Sequence, residues 1–180
     1  MKTHEFTFLA AAAAAALLVA GPAAADESDA DKIARAERAA PSAISNDAKV
    51  VDVDGRVLRE GSNGWVCQPG VMPGDDHPMC NDQVWMDLMG AAAEKKDFST
   101  DRIGISYMLQ GDMHVSNSDP YATDPDNGDV WVQEGPHLMI VVPKAMLKGI
   151  SDDPYNGGPY VMWKETPYAH IMAPLPEVPR

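Results

Sequence analysis

Basic residues are scarce in this chain. Fourteen Lys and Arg stand against 27 Asp and Glu, which gives a formal net charge of −13 over 180 residues. So acidic a surface repels phosphate backbones and anionic lipid headgroups. The composition therefore argues against a nucleic-acid partner and against attachment to an anionic membrane. It leaves a cationic partner or a divalent cation open.

Long apolar runs are absent after residue 25. The first 25 residues combine a basic start, an apolar stretch, a Gly21-Pro22 break and three alanines at 23–25. This pattern is typical of a signal peptide, and the apolar stretch is too short for a good membrane span. We therefore expect an exported protein, periplasmic or secreted, whose mature chain begins at Asp26 and carries no integral membrane segment.

Cysteine occurs only at Cys67 and Cys80. In an oxidising compartment this spacing favours a structural disulfide. A catalytic thiol is the alternative, but a reactive thiol needs an electropositive setting and this neighbourhood is acidic. The segment between the two cysteines is rich in Pro, Gly and Asp, so we expect a loop that gains from being closed.

Several enzyme motifs are missing. The sequence contains no G-x-S-x-G, no H-E-x-x-H and no C-x-x-C, which also excludes a C-x-x-C-H haem attachment site. No catalytic residue is assigned. The absences favour a non-enzymatic binding or interaction module with an unknown protein or small-molecule ligand. A hydrolase whose residues are not recognisable from one sequence stays open as a further alternative.

Local signals predict few helices and many short strands. Asp54-Gly55 between two strand-like segments is typical of a β-hairpin, and apolar spacing after Asp82 predicts a helix to about Lys96. Further strands are predicted at 103–110, 130–133, 137–142, 160–164 and 168–173.

These elements indicate an α+β fold. We expect one globular domain over 49–180, with a mostly antiparallel sheet packed by one main helix, and a β-sandwich as the alternative. Residues 26–48 are polar and Ala-rich, which predicts an N-terminal arm or a short helix that Pro41 ends.

Each histidine after the signal lies within two residues of a methionine. His137-Leu-Met139 and His170-Ile-Met172 share a spacing that, on a strand, points both side chains to one face. Two such strands side by side offer imidazole nitrogens and thioether sulfurs, a soft ligand set that suits Cu(I). These four residues are the candidate metal ligands, with copper as the alternative to a protein without a cofactor. Burial in the core is the simpler explanation for them.

The loop at 124–129 offers oxygen donors for Ca²⁺. An EF-hand requires Gly at its sixth position and Glu at its twelfth. Counted from Asp124, glycine falls at the fifth position and the twelfth residue is Gly135. The sequence therefore predicts a solvated, turn-rich loop there, with a weak Ca²⁺ site as the alternative.

Aromatic residues in the C-terminal half lie near loops or strand ends. Exposed aromatics of this kind form binding surfaces for small molecules, glycans or proteins, although core packing accounts for several of them equally well. The candidate surface residues are Tyr121, Trp131, Tyr155, Tyr160, Trp163 and Tyr168.

Six segments carry a resemblance that spans most of the mature chain. They read DGRVLREGSNGWVCQPG, HPMCND, YMLQGD, DPYATDP, GPHLMIVVP and NGGPYVMWKETPYAHIMAP. Through them the chain resembles a group of short exported bacterial proteins that carry no assigned function. The resemblance implies likeness over the whole domain and supplies neither a reaction nor a ligand.

Overall fold

The computed structural model describes residues 27–176, and the predicted signal peptide lies outside them. Its fold is α+β with a dominant sheet, as the sequence predicts. The helices are α1 (Asp29–Glu37), α2 (Ser42–Ser45) and α3 (Gln83–Ala93), and a 3₁₀ turn spans Lys144–Leu147. The strands are β1 (Lys49–Val51), β2 (Val57–Arg59), β3 (Val66–Gln68), β4 (Met79–Asn81), β5 (Gly104–Met108), β6 (Val115–Ser116), β7 (Trp131–Val132), β8 (His137–Val141), β9 (Tyr160–Met162) and β10 (His170–Pro174).

Eight strands form one mixed sheet in the order β2-β1-β3-β4-β5-β8-β10-β9. Strands β1 and β3 run parallel, and all other neighbours in this sheet are antiparallel. Strands β6 and β7 pair with each other in a small separate ribbon. Among the described residues, no helix is both long enough and apolar enough to cross a bilayer.

Helix α3 covers one face of the sheet. It contributes Val84, Trp85 and Leu88 to the main core, as their helical spacing predicts. Asp82 caps the helix, since one carboxylate oxygen accepts a hydrogen bond from the Trp85 N–H at 2.8 Å. The other oxygen accepts from the Ile105 N–H at 2.8 Å. One side chain thus ties the start of α3 to β5.

The opposite face is covered near its two ends. Helix α1 packs over β2, β3 and β4, and its Ala36 is fully buried in one cluster with Val50 and with Ala39, which follows the helix. At the other end, Leu147 of the 3₁₀ turn packs on Val161 of β9 in a smaller cluster. The helix that the sequence allows at the N-terminus is therefore part of the packed fold.

Cys67 and Cys80 form the predicted disulfide, and both are fully buried. They are direct partners in the antiparallel register of β3 and β4, with Cα atoms 4.0 Å apart. The bond closes the loop over 69–78. The residues around Cys80, Met79–Asn81, form a strand rather than the end of that loop, because they pair with both β3 and β5.

Candidate functional site

The sheet face under α3 is rich in methionine and histidine. The register of β8 and β10 sets Met139 directly opposite Met172, and both are buried. The same face carries further buried residues, namely Met79, Met108, Met162, His137 and His170. Thioethers fill irregular space in a core, so the methionines account for much of the packing against α3.

The four candidate copper ligands share this face. The antiparallel register sets His137 opposite Pro174, four residues along β10 from His170. At about 3.4 Å per residue the two histidine backbones are roughly 14 Å apart along the strand. The donors therefore form a row, with Met139 and Met172 between the two imidazoles. Copper binding by these residues stays a prediction.

Both imidazoles take the same orientation. Nδ1 lies 2.7 Å from the Gly135 carbonyl oxygen in His137 and 2.9 Å from the Tyr168 carbonyl oxygen in His170. A carbonyl only accepts, so Nδ1 carries the proton and each neutral ring keeps a lone pair at Nε2. Both Nε2 atoms are buried with no hydrogen-bond partner among residues 27–176. Metal-ligating histidines have this orientation.

Burial holds both rings neutral. Desolvation lowers the pKa of His137 below its ordinary value and takes the pKa of His170 down to about 4. The rings of Trp85 and Trp163 meet His170 edge-on, with centroids 5.0 Å and 5.1 Å away. His170 is therefore sealed between aromatic rings.

His137 faces a carboxylate instead. Its Nε2 lies 4.0 Å from Oδ2 of Asp112, which is too long for a hydrogen bond. The other oxygen of Asp112, Oδ1, is also buried without a partner in the described part of the chain. Burial, together with the negative charges of Glu134 and Asp75, raises the pKa of Asp112 to about 7. Since the pKa of His137 is lowered, the pair favours two neutral groups over an ion pair, and unsatisfied polar atoms remain on both sides.

The strand register brings this pair together. The start of β4, the end of β5 and the start of β8 align at one end of the sheet. The connections at 69–78, 109–114 and 133–136 therefore meet there. Asp112 lies 25 positions before His137 in the sequence, with no motif linking them. Sequence reasoning missed it for that reason.

Backbone contacts fix the position of Asp112. Its N–H donates to the Glu134 carbonyl oxygen at 3.0 Å. Gly111 has φ +80°, and a Cβ there would come within 2.8 Å of the same carbonyl oxygen, so the turn requires glycine. The Glu134 carboxylate in turn accepts a hydrogen bond from the Tyr160 hydroxyl at 2.9 Å.

A second group of potential metal donors lies in the disulfide-closed loop. Asp75, Asp76 and His77 place one donor atom each within 4.8 Å of one another. Asp75 is already engaged, because its two oxygens accept from the Val71 N–H and the His77 N–H. These bonds account for the cluster as a loop-ordering device. The acidic loop at 124–129 behaves likewise, since Asp124 and Asn127 each accept from a backbone N–H two residues on.

The predicted aromatic surface divides into buried and exposed members. Tyr160 is fully buried and Tyr168 nearly so, because both line the core under α3. Tyr121 donates to the Ala92 carbonyl oxygen, and Trp163 donates to the Ser116 carbonyl oxygen. Tyr160 and Tyr168 therefore lie outside any exposed surface, while Tyr121 and Trp163 are tied down by hydrogen bonds.

Trp131 and Tyr155 lie together at the surface. Tyr155 is 75% exposed, and its hydroxyl is 3.4 Å from the Trp131 carbonyl oxygen. The ring of His114 lies 5.5 Å from the Trp131 ring, and the neighbouring Val130 is 49% exposed. We call these four residues the aromatic patch.

Acidic residues surround the aromatic patch in the sequence. No Lys or Arg occurs between Arg102 and Lys144, so this whole stretch is without positive side chains other than histidine. The acidic residues of that stretch are Asp112, Asp119, Asp124, Asp126, Asp129 and Glu134. Near Tyr155, Asp152 is the carboxylate that is neutralised, by Lys164 at 3.0 Å.

An open groove of about 660 Å³ runs beside the first half of α3. It is lined by Val84, Asp87 and residues 97–102. These lining residues include neither an imidazole nor a thiol, and the guanidinium of Arg102 lies 3.9 Å from the Asp87 carboxylate. The groove therefore does not contain the buried histidines or Asp112.

Comparisons with protein families, with curated proteins and with solved structures found no match to this chain.

Proposed function

We propose that this protein is an exported, non-enzymatic interaction module that binds a Lys- or Arg-rich segment of a partner protein through the aromatic patch. One observation carries the proposal. Tyr155 is 75% exposed yet held against the backbone of Trp131, which belongs to the acidic stretch without Lys or Arg.

The chemistry of the patch matches a cationic partner. Aromatic rings attract Lys and Arg side chains through their faces and supply apolar contact area. The surrounding carboxylates add long-range attraction, which speeds encounter and selects against acidic partners. The chain's net charge of −13 acts in the same direction.

Export is part of the proposal. The buried Cys67–Cys80 disulfide supports it, because such bonds persist in oxidising compartments. The signal-like pattern of the first 25 residues supports it independently. The protein would therefore meet its partner in the periplasm or outside the cell.

The test is calorimetric titration of the mature protein with oligolysine and oligoarginine peptides of equal length, with an oligoglutamate peptide as control. We expect the basic peptides to bind and binding to weaken as salt is raised. Tyr155→Ala should weaken binding by about tenfold, as removal of an anchoring aromatic does. Met146→Ala is the matched control, since Met146 is 59% exposed but lies on the 3₁₀ turn.

Two results would overturn this function. One is absence of binding to either basic peptide at low salt. The other is equal weakening by Tyr155→Ala and Met146→Ala, which would mean that the peptides associate with the net charge rather than with the aromatic patch.

Copper binding is the second candidate function, and one observation favours it. His170 and His137 both present unpartnered Nε2 lone pairs on the face that holds the opposed Met139 and Met172. The test is anaerobic Cu(I) competition against a chelator, with a Met139→Leu/Met172→Leu variant that removes sulfur while nearly preserving volume. Loss of binding there, but not in Met79→Leu, would support copper. Equal Cu(I) affinity in the wild type and in both variants would show that Met139 and Met172 only pack the core.

A further inference from the structure

We propose that Asp112 and His137 form a binding site for a divalent transition-metal ion such as Zn²⁺, at the end of the sheet where three loops meet. This site goes beyond the aromatic patch. It also differs from the copper candidate, because its donors are one imidazole nitrogen and carboxylate oxygens rather than thioethers.

Unsatisfied polar atoms occur on both side chains of the pair. His137 is fully buried, and its unpartnered Nε2 lies 4.0 Å from Oδ2 of Asp112. Oδ1 of Asp112 is buried and without a partner within residues 27–176. Buried polar atoms are nearly always paired, so these are candidates for an ion that the two residues share. Imidazole and carboxylate are both ordinary zinc ligands.

The separation suits a shared ion better than a direct contact. Zinc bonds of about 2.0–2.1 Å to nitrogen and 2.0–2.2 Å to oxygen, at a tetrahedral angle, set the two donors roughly 3.4 Å apart. The observed 4.0 Å is wider by about 0.6 Å, so ion binding would draw the two donors closer by about that distance. The Nδ1–H of His137 already donates to the Gly135 carbonyl, as the outer nitrogen of a ligating histidine does.

The surrounding charge favours a cation. Glu134 lies beside Asp112 through the hydrogen bond between their backbones, and Asp75 of the neighbouring loop adds a further negative charge. Among the described residues, no Lys or Arg makes an ion pair with Asp112 or Glu134. A divalent ion would neutralise carboxylates that the protein leaves unbalanced.

The carboxylate side of the pair is the side nearer to solvent. The Asp112 side chain is 10% exposed, and Glu134 is half-buried. His170 has no such opening, since it is fully buried between two tryptophan rings. An ion would therefore meet Asp112 first, and water would complete its coordination on that side.

The test uses metal-free mature protein with its disulfide intact, titrated with Zn²⁺ against a chromophoric chelator. We expect one-to-one binding that Asp112→Asn weakens by at least about 100-fold, since a ligand is lost. Asp126→Asn is the matched control, because it makes the same chemical change on the exposed loop at 124–129. A second readout needs no variant: ¹⁵N NMR of the imidazoles should show Zn²⁺ shifting Nε2 of His137 and leaving His170 unchanged.

Three outcomes would overturn the site. Wild-type protein that fails to bind Zn²⁺ would show that the two residues do not hold the ion. Equal binding by Asp112→Asn would exclude the carboxylate as a ligand. Loss of binding in His77→Asn, with Asp112→Asn unaffected, would place the ion in the loop at 75–77 instead.

Discussion

Gly104 of β5 lies directly beneath Val84 of α3. A Cβ on the glycine would come within 2.8 Å of the Val84 Cβ and 2.6 Å of a methyl carbon of Val141. The helix can approach the sheet this closely only because residue 104 has no side chain. We expect Gly104→Ala to lower the free energy of unfolding by about 1–3 kcal/mol, the usual cost of overpacking a core. Urea denaturation measures it.

Gly90, inside α3, is expected to respond in the opposite way. A Cβ there meets nothing within 4 Å. Alanine is a better helix former than glycine by roughly 1 kcal/mol, so Gly90→Ala should stabilise the protein by about that amount. The same urea denaturation serves as the check, and a loss of stability in Gly90→Ala would contradict the packing of α3 described above.

Asp112 should make the metal-free protein less stable as the pH rises. Its folded pKa of about 7 lies above the ordinary value of 3.8, so the folded state binds the proton more tightly. The contribution of Asp112 to the free energy of unfolding is therefore highest below pH 4 and is lost as the pH rises towards 7. Asp112→Asn should match the wild type at pH 4 and exceed it at pH 8, by at most about 4 kcal/mol at 1.36 kcal/mol per pKa unit.

A more stable Asp112→Asn variant at pH 8 would show that the Asp112 carboxyl is kept for a function and not for folding stability. A carboxyl held for stability would make Asp112→Asn less stable at pH 8. A difference between the two proteins that is the same at pH 4 and pH 8 would show that the titration of Asp112 does not contribute.

In acid, His170 should lower the folding stability, whereas Asp112 raises it. Its folded pKa of about 4 lies below the ordinary 6.5, so the folded state disfavours the protonated ring. The stability that the neutral ring provides is present above pH 6.5 and is lost as the pH falls towards 4. We expect imidazole NMR of the metal-free protein to show His170 as the Nδ1–H tautomer down to pH 5. A protonated ring at pH 6 would contradict the sealed environment.

Removing the disulfide should cost stability without abolishing the sheet. The disulfide joins two residues that are 13 positions apart in the sequence. For a loop of this size the chain-entropy model gives a stabilisation of about 3 kcal/mol. We expect Cys67→Ala/Cys80→Ala to lose about that amount in urea denaturation. Reductant should destabilise the wild type similarly and have no effect on the double variant, which makes the variant its own control.

Local signals predicted the local elements. The Asp54-Gly55 turn predicted the β1–β2 pairing, and the spacing of Val84, Trp85 and Leu88 predicted α3. Strand β4 was missed because its short sequence follows a Pro- and Gly-rich loop and becomes a strand only between two partners. The parallel pairing of β1 with β3 depends equally on long-range packing.

In the candidate sites, too, local features could be predicted from the sequence and long-range ones could not. The H-x-M spacing correctly implied one face for His137 and Met139, since strand alternation is a local property. It did not reveal the offset between the two histidines, because inter-strand register is set by the whole sheet. For the same reason the sequence did not reveal Asp112 as the neighbour of His137, or which aromatic residues α3 covers.

Strand β10 is the last strand within residues 27–176, yet it lies inside the sheet, with β8 on one side and β9 on the other. During synthesis, which runs from the N-terminus, β9 therefore has no neighbour until residues 170–174 have been made. Until then the edge of β8 is also unpaired, and the methionine-lined face is incomplete. Closure of the sheet therefore waits for His170–Pro174, and truncated chains that end before His170 should be open to proteases and chaperones.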